Sequence, residues 1–171
     1  VAAAAKHFNQ LRGVAMWKYV LLALVLLPTV AAAEEPAKDQ AALEKQFEEQ
    51  MNGVYLRGFF TLSGREQQQG LKEEKYTISS VKKLDGTKWL FNVRIQYGQH
   101  DATLPLALDV IWSGDTPVIT LTDMVIPGFG KFTARVMIYR GQYAGTWDGG
   151  KEPDGSLHGG HLFGRLEKIA K

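Results

Sequence analysis

The sequence predicts an all-β fold: an eight-stranded antiparallel up-and-down meander barrel preceded by a short N-terminal helix. Three observations carry this. From Asn52 onward apolar residues recur with a period of two, as in "KWLFNVRIQY" and "TLPLALDVIW", the pattern of strands with one buried face. Short, turn-rich links join these runs, so neighbours in sequence pair antiparallel. No helical stretch separates them, which excludes parallel βαβ units. Several runs reach nine or ten residues, and long one-sided strands in series favour a closed barrel over the runner-up, a two-sheet sandwich.

The elements follow in order. Residues 1–15, "VAAAAKHFNQLRGVA", read as upstream sequence translated from a start placed too early, with Met16 as the true start. Residues 16–33 read as a signal peptide: Lys18 supplies the positive start, Tyr19 to Val30 the apolar run, and Ala31-Ala32-Ala33 the small residues before cleavage. The apolar run is short for a membrane span, which takes roughly 20 residues. Removing 33 of 171 residues leaves 138, enough for one domain with a real core. Residues 34–51 hold six acids and two bases. They predict an acidic helical linker, read as solvated in preference to a plug. Leu43, Phe47 and Met51 nevertheless form a stripe at helical spacing.

Residues 52–171 predict the barrel. Val54 to Leu62 is the first strand, and the polar stretch "SGREQQQGLKEE" is a loop. Strands follow from Tyr76 to Val81, Trp89 to Tyr97 and Leu104 to Trp112. Asp85-Gly86 between the first two signals a type I′ hairpin. Pro105 suggests an edge or a bulge. Val118 to Thr122 is a short strand that Asp123 ends. Phe132 to Tyr139, Tyr143 to Asp148 and His161 to Glu167 complete the eight. A barrel of such strands could also be an outer-membrane protein. The loops lack a short–long alternation, and Lys82, Arg94 and Arg135 sit where an inward apolar face leaves them in water.

Charge and composition exclude several functions. Lys6, Arg12 and Lys18 leave with the leader, so 17 basic and 18 acidic residues remain, and nucleic-acid binding loses its electrostatic support. Absence of cysteine excludes thiol nucleophiles, zinc–thiolate sites and iron–sulfur clusters. Phosphate loops and dinucleotide fingerprints are absent, as are nucleophile elbows around Ser63, Ser113 and Ser156. Asp109 and Asp123 sit at strand positions as a candidate carboxylate pair, but nothing in the sequence sets them at the separation glycoside hydrolysis needs, and the chain is not expected to be an enzyme or to carry a cofactor. His158 and His161, with Asp148, Glu152 and Asp154 near in sequence and His100-Asp101 in another turn as further ligands, form a minority metal hypothesis. On a flat strand, residues three apart face opposite ways.

The stretches "GVYLRGFFTLSG", "YTISSVKKLDGTKWLFNVRIQYG", "IWSGDTPVITLTDMVIPGFGKFTARVMIYRGQYAGTW" and "GGHLFGRLE" resemble an uncharacterised family of secreted bacterial β-proteins, which carries no transferable activity. Gly145-Thr146-Trp147 also resembles the glycine-x-tryptophan element of avidin-like and lipocalin-like (calycin-like) barrels. That likeness implies architecture alone.

A secreted or periplasmic barrel that binds a small apolar or amphipathic ligand is therefore the expected function. Trp89, Phe91, Tyr97, Trp112, Phe132, Tyr143 and Trp147 are the candidate lining. Gly58, Ala134, Gly145 and Gly164 suggest close backbone approach, coiling or room. The alternative is a structural or interaction domain of the cell envelope with a filled core. No membrane span is expected after signal cleavage.

Overall fold

The computed structural model describes residues 39–97, 100–151, 153 and 155–170. The proposed upstream segment, signal peptide and first residues of the acidic linker lie outside these. Helix α1 (Gln40–Met51) precedes eight strands: β1 (Val54–Phe60), β2 (Lys72–Asp85), β3 (Lys88–Tyr97), β4 (His100–Ser113), β5 (Thr116–Ile126), β6 (Gly130–Tyr139), β7 (Gln142–Lys151) and β8 (Leu157–Lys168). A one-turn helix α2 (Glu66–Gln69) sits in the β1–β2 loop. Each strand pairs antiparallel with its sequence neighbour. β8 returns to β1 in register from Val54↔Lys168 to Phe60↔Leu162, so the barrel is closed. The sandwich is not formed.

Alternation sets the inside and the outside. Leu56, Ile78, Phe91, Val93, Ile95, Leu108, Ile119, Ile138 and Leu162 are buried. Arg57, Arg94 and Arg135 point outward, and Arg94 clasps Asp101 with two nitrogens. No described helix is long and apolar enough to cross a membrane.

The helix is not the solvated linker favoured from composition. Leu43, Phe47 and Met51 are all buried, and Phe47 packs edge-on against Trp89 at 5.2 Å and Trp112 at 6.0 Å. Trp89 is the second residue of β3 and Trp112 the last but one of β4, so both rings stand at the end of the barrel where the chain enters. Three apolar residues at helical spacing are enough to cap that end, and the acids stay on the outer face. Asp39 caps the first turn by accepting from the Ala41 N–H. At the other terminus the Lys168 ammonium donates to the Glu49, Gln50 and Asn52 carbonyls, a favourable placement of a cation at a helix C-terminus. Glu44 pairs with Lys83 on β2.

Four details differ from expectation. β2 begins at Lys72, so "KEE" belongs to the strand. The hairpin after Asp85 places positive φ on Gly86 alone. A turn with both central residues at positive φ, the type I′ signature, occurs instead at Arg140-Gly141 (48° and 75°). Asp123 does not end its strand: it forms a bulge at φ 50°, its N–H donating to Thr133 Oγ1, and β5 continues to Ile126. β8 starts at Leu157, so both His158 and His161 lie in it. Pro105 matches the edge reading. It pairs with Asn92 on one side, while among the described residues β4 pairs with β5 only along Asp109–Ser113.

Candidate functional site

The strands alternate direction, so the barrel has a plugged end and a loop end. The plugged end collects α1 and the tight hairpins. The loop end collects the β1–β2 loop and the β5–β6 and β7–β8 connections. Aromatic packing fills the plugged end, and the rest of the interior holds a cavity of about 680 Å³. Its floor is Leu56, Ile78, Phe91 and Leu108. Its upper wall is Phe60, Phe129, Phe132, Trp147 and His158. This volume lies within the roughly 300–1,000 Å³ of ordinary small-molecule sites.

One polar node interrupts the apolar wall. Glu74 on β2 lines the cavity and is only 5% exposed. Tyr143 donates to its Oε1 at 2.9 Å, and Tyr76 donates to its Oε2 at 2.8 Å. Burial pushes the Glu74 carboxyl above the usual carboxylate range, and the two tyrosine hydrogen bonds oppose that shift. Tyr143 is pushed upward by burial first, then by the neighbouring carboxylate, so it remains a donor.

Strand register explains how two residues 69 apart in sequence meet. Tyr143 stands opposite Gly164, Gly164 opposite Gly58 and Gly58 opposite Glu74. The row crosses four strands, each roughly 4.8 Å from the next. The two glycines leave a trench in which the Tyr143 ring lies. A Cβ on Gly58 would stand 2.5 Å from the Tyr143 hydroxyl oxygen, and one on Gly164 would stand 2.7 Å from its Cε1. These glycines therefore make room for a tyrosine that reaches an acid. At Gly145 the approach is between backbones: an added Cβ would meet the Arg135 carbonyl oxygen at 2.0 Å.

The seven aromatic candidates separate into groups. Phe132, Tyr143 and Trp147 line the cavity, and Phe91 contributes to its floor. Trp89 and Trp112 pack on Phe47 at the plugged end and do not line it. Tyr97 ends β3, and its side chain lies outside the described residues. Trp147 meets Phe132, Phe60 and His158, the last edge-on at 5.1 Å. Its indole Nε1 is buried without a hydrogen-bond partner among the described residues.

The two histidines do not converge. His158 lines the cavity, whereas His161 is exposed on the opposite face of β8. Glu152, Asp154 and the His100 side chain lie outside the described residues. Among the described residues no group of three metal-ligating side chains comes together. Asp109 and Asp123 are also apart. Asp109 accepts from Lys88 and Thr87 on the outer surface, and exposed Asp123 pairs with Lys131.

Sequence reasoning missed Glu74, Tyr76 and His158 as cavity residues. Extending the alternation back from Tyr76 places Glu74 on the inner face, opposite the inward Gly58. That was the available signal. No protein-family model matches the chain, and no curated protein matches it.

Proposed function

We propose that this chain is an exported, non-enzymatic β-barrel that binds one small apolar or amphipathic molecule in its interior. The observation that supports this best is the cavity of about 680 Å³, apolar on nearly every side, left where aromatic packing stops. Eight-stranded barrels either fill their interior or hold one small ligand. Here the plugged half does the first and the loop half is suited to the second. Export rests on residues 16–33 and their signal-peptide pattern. A lipid-facing barrel is disfavoured because Arg57, Arg94 and Arg135 occupy the outer face, and an arginine facing lipid costs about 2–4 kcal/mol at the bilayer midplane.

N-phenyl-1-naphthylamine, a neutral dye that brightens in apolar surroundings, tests the reading. One dye per chain should bind, with quenching of Trp147 emission. Ala134→Phe, which fills the cavity from β6, should abolish binding while preserving the fold by circular dichroism. Brightening that survives the filled cavity would contradict an interior site.

A second reading has its own observation. Phe59 and Phe163 face each other across β1 and β8 on the outer surface, 37% and 40% exposed, with Met137 and Tyr139 also exposed nearby. That row suits an envelope interaction domain. Binding that ignores the filled cavity but fails with Phe163→Ser would favour it.

A further inference from the structure

We propose that the interior site selects an apolar molecule that carries a protonated amine, held by the Glu74 carboxylate. This rests on the interior-binding reading and adds the head-group chemistry.

The node is built like half of a recognition pair. An ionised carboxylate offers about four lone-pair positions, and the tyrosines occupy one on each oxygen. No lysine, arginine or histidine among the described residues pairs with Glu74; its hydrogen-bond partners are the two hydroxyls. A carboxylate this buried ordinarily has a cation beside it. Tyr76 and Tyr143 donate to different oxygens, which a carboxylate accepts on both sides and a glutamine, with one acceptor oxygen, on one. The carboxylate adds a capacity for charge that no described side chain uses.

The alternative head group is an acid. Its partners would be Lys72 and the Trp147 Nε1, which has no hydrogen-bond partner among the described residues, since both residues line the same cavity. Lys72 is the first residue of β2 and is exposed, so its ammonium remains hydrated and gains little from an anion. Glu74 lies one inward position deeper, where water is excluded and a charge-assisted hydrogen bond is strongest. An anionic head entering past Glu74 would also meet like charge.

Three probes with one apolar body separate the possibilities: 1-adamantylamine, 1-adamantanol and 1-adamantanecarboxylate, titrated calorimetrically at pH 7. The amine should bind at least about tenfold more tightly than the alcohol, and the carboxylate most weakly. Glu74→Gln should bring the amine to within about threefold of the alcohol. Repeating the wild-type titrations at falling pH removes the carboxylate without changing the chain: the amine preference should fade as the carboxyl takes up its proton, while alcohol binding stays level. This measurement also carries the test if the Gln variant fails to fold. Equal binding of all three probes, a preference for the carboxylate, an amine preference that survives Glu74→Gln, or one that does not fade as pH falls would overturn the amine assignment and leave the cavity reading standing. No binding by any probe would overturn both.

Discussion

The helix offers the sharpest single perturbation. Phe47 is 2% exposed and sits edge-on to two indoles, with Phe91 6.3 Å away. Replacing it with alanine removes the ring and leaves a void against rigid neighbours on β3 and β4. Phe→Ala changes of this kind cost about 3–5 kcal/mol, and the aromatic pairing is already contained in that range. Urea unfolding of Phe47→Ala should therefore lower stability by about 3–5 kcal/mol at unchanged m-value. Because Trp89 is almost completely buried beneath the helix, the native emission should also move to the red as water reaches it. Leu43→Ala, one turn earlier and at the margin of the same contact, should cost less than Phe47→Ala. A loss below about 1 kcal/mol for Phe47→Ala, with unchanged emission, would show that the helix is a solvated appendage and refute the plug.

Two further outcomes follow from the polar node. Folding raises the Glu74 carboxyl above its ordinary 4.5, so the native state binds that proton more tightly than the unfolded chain. Its contribution to stability is therefore full below about pH 4.5 and is lost as pH rises through the folded value. Asp101 and Asp109 are held below the usual carboxylate range by hydrogen bonds from Arg94 and Lys88, and so give the opposite slope. Comparing wild type with Glu74→Gln at pH 5 and pH 8 isolates the node: wild type should lose more stability than the variant over that rise, and equal losses would contradict a buried acid. Gly164→Ala puts a methyl group 2.3 Å from the Arg57 carbonyl oxygen and against the Tyr143 ring. Overpacking of this kind costs about 1–3 kcal/mol. Thermal melts should show that loss, and a neutral change would mean that the trench is looser than described.

Much of the architecture was legible because a barrel writes its inner face into the sequence at period two. Trp89, Phe91 and Val93 alternate with Leu90, Asn92 and Arg94, and this alone orients β3. The start of β2 was not legible. Lys72, Glu73 and Glu74 look like a solvated loop, and of the two tyrosines that make an inward glutamate tolerable, one is 69 residues away. The docking of α1 was half legible: its stripe was visible, but its partners become neighbours only when strand direction places Trp89 and Trp112 at the same end. The same topology explains the division among the aromatics. Trp89, Trp112 and Trp147 share the inward phase, yet Trp147 lies toward the loop end of β7 and only it faces the cavity. Turn chemistry misled locally, since Asp85-Gly86 resembles a type I′ pair while Arg140-Gly141 forms one.

The interior site is tested most directly by methyl-labelled NMR of the protein saturated with N-phenyl-1-naphthylamine. Intermolecular NOEs should run from the dye to Leu56, Ile119, Val136 and Leu162, whose side chains line the cavity from four different strands. NOEs confined to Met137 and its neighbours Val118 and Ile111 on the outer surface, with the interior methyls unmoved, would contradict an interior binding site.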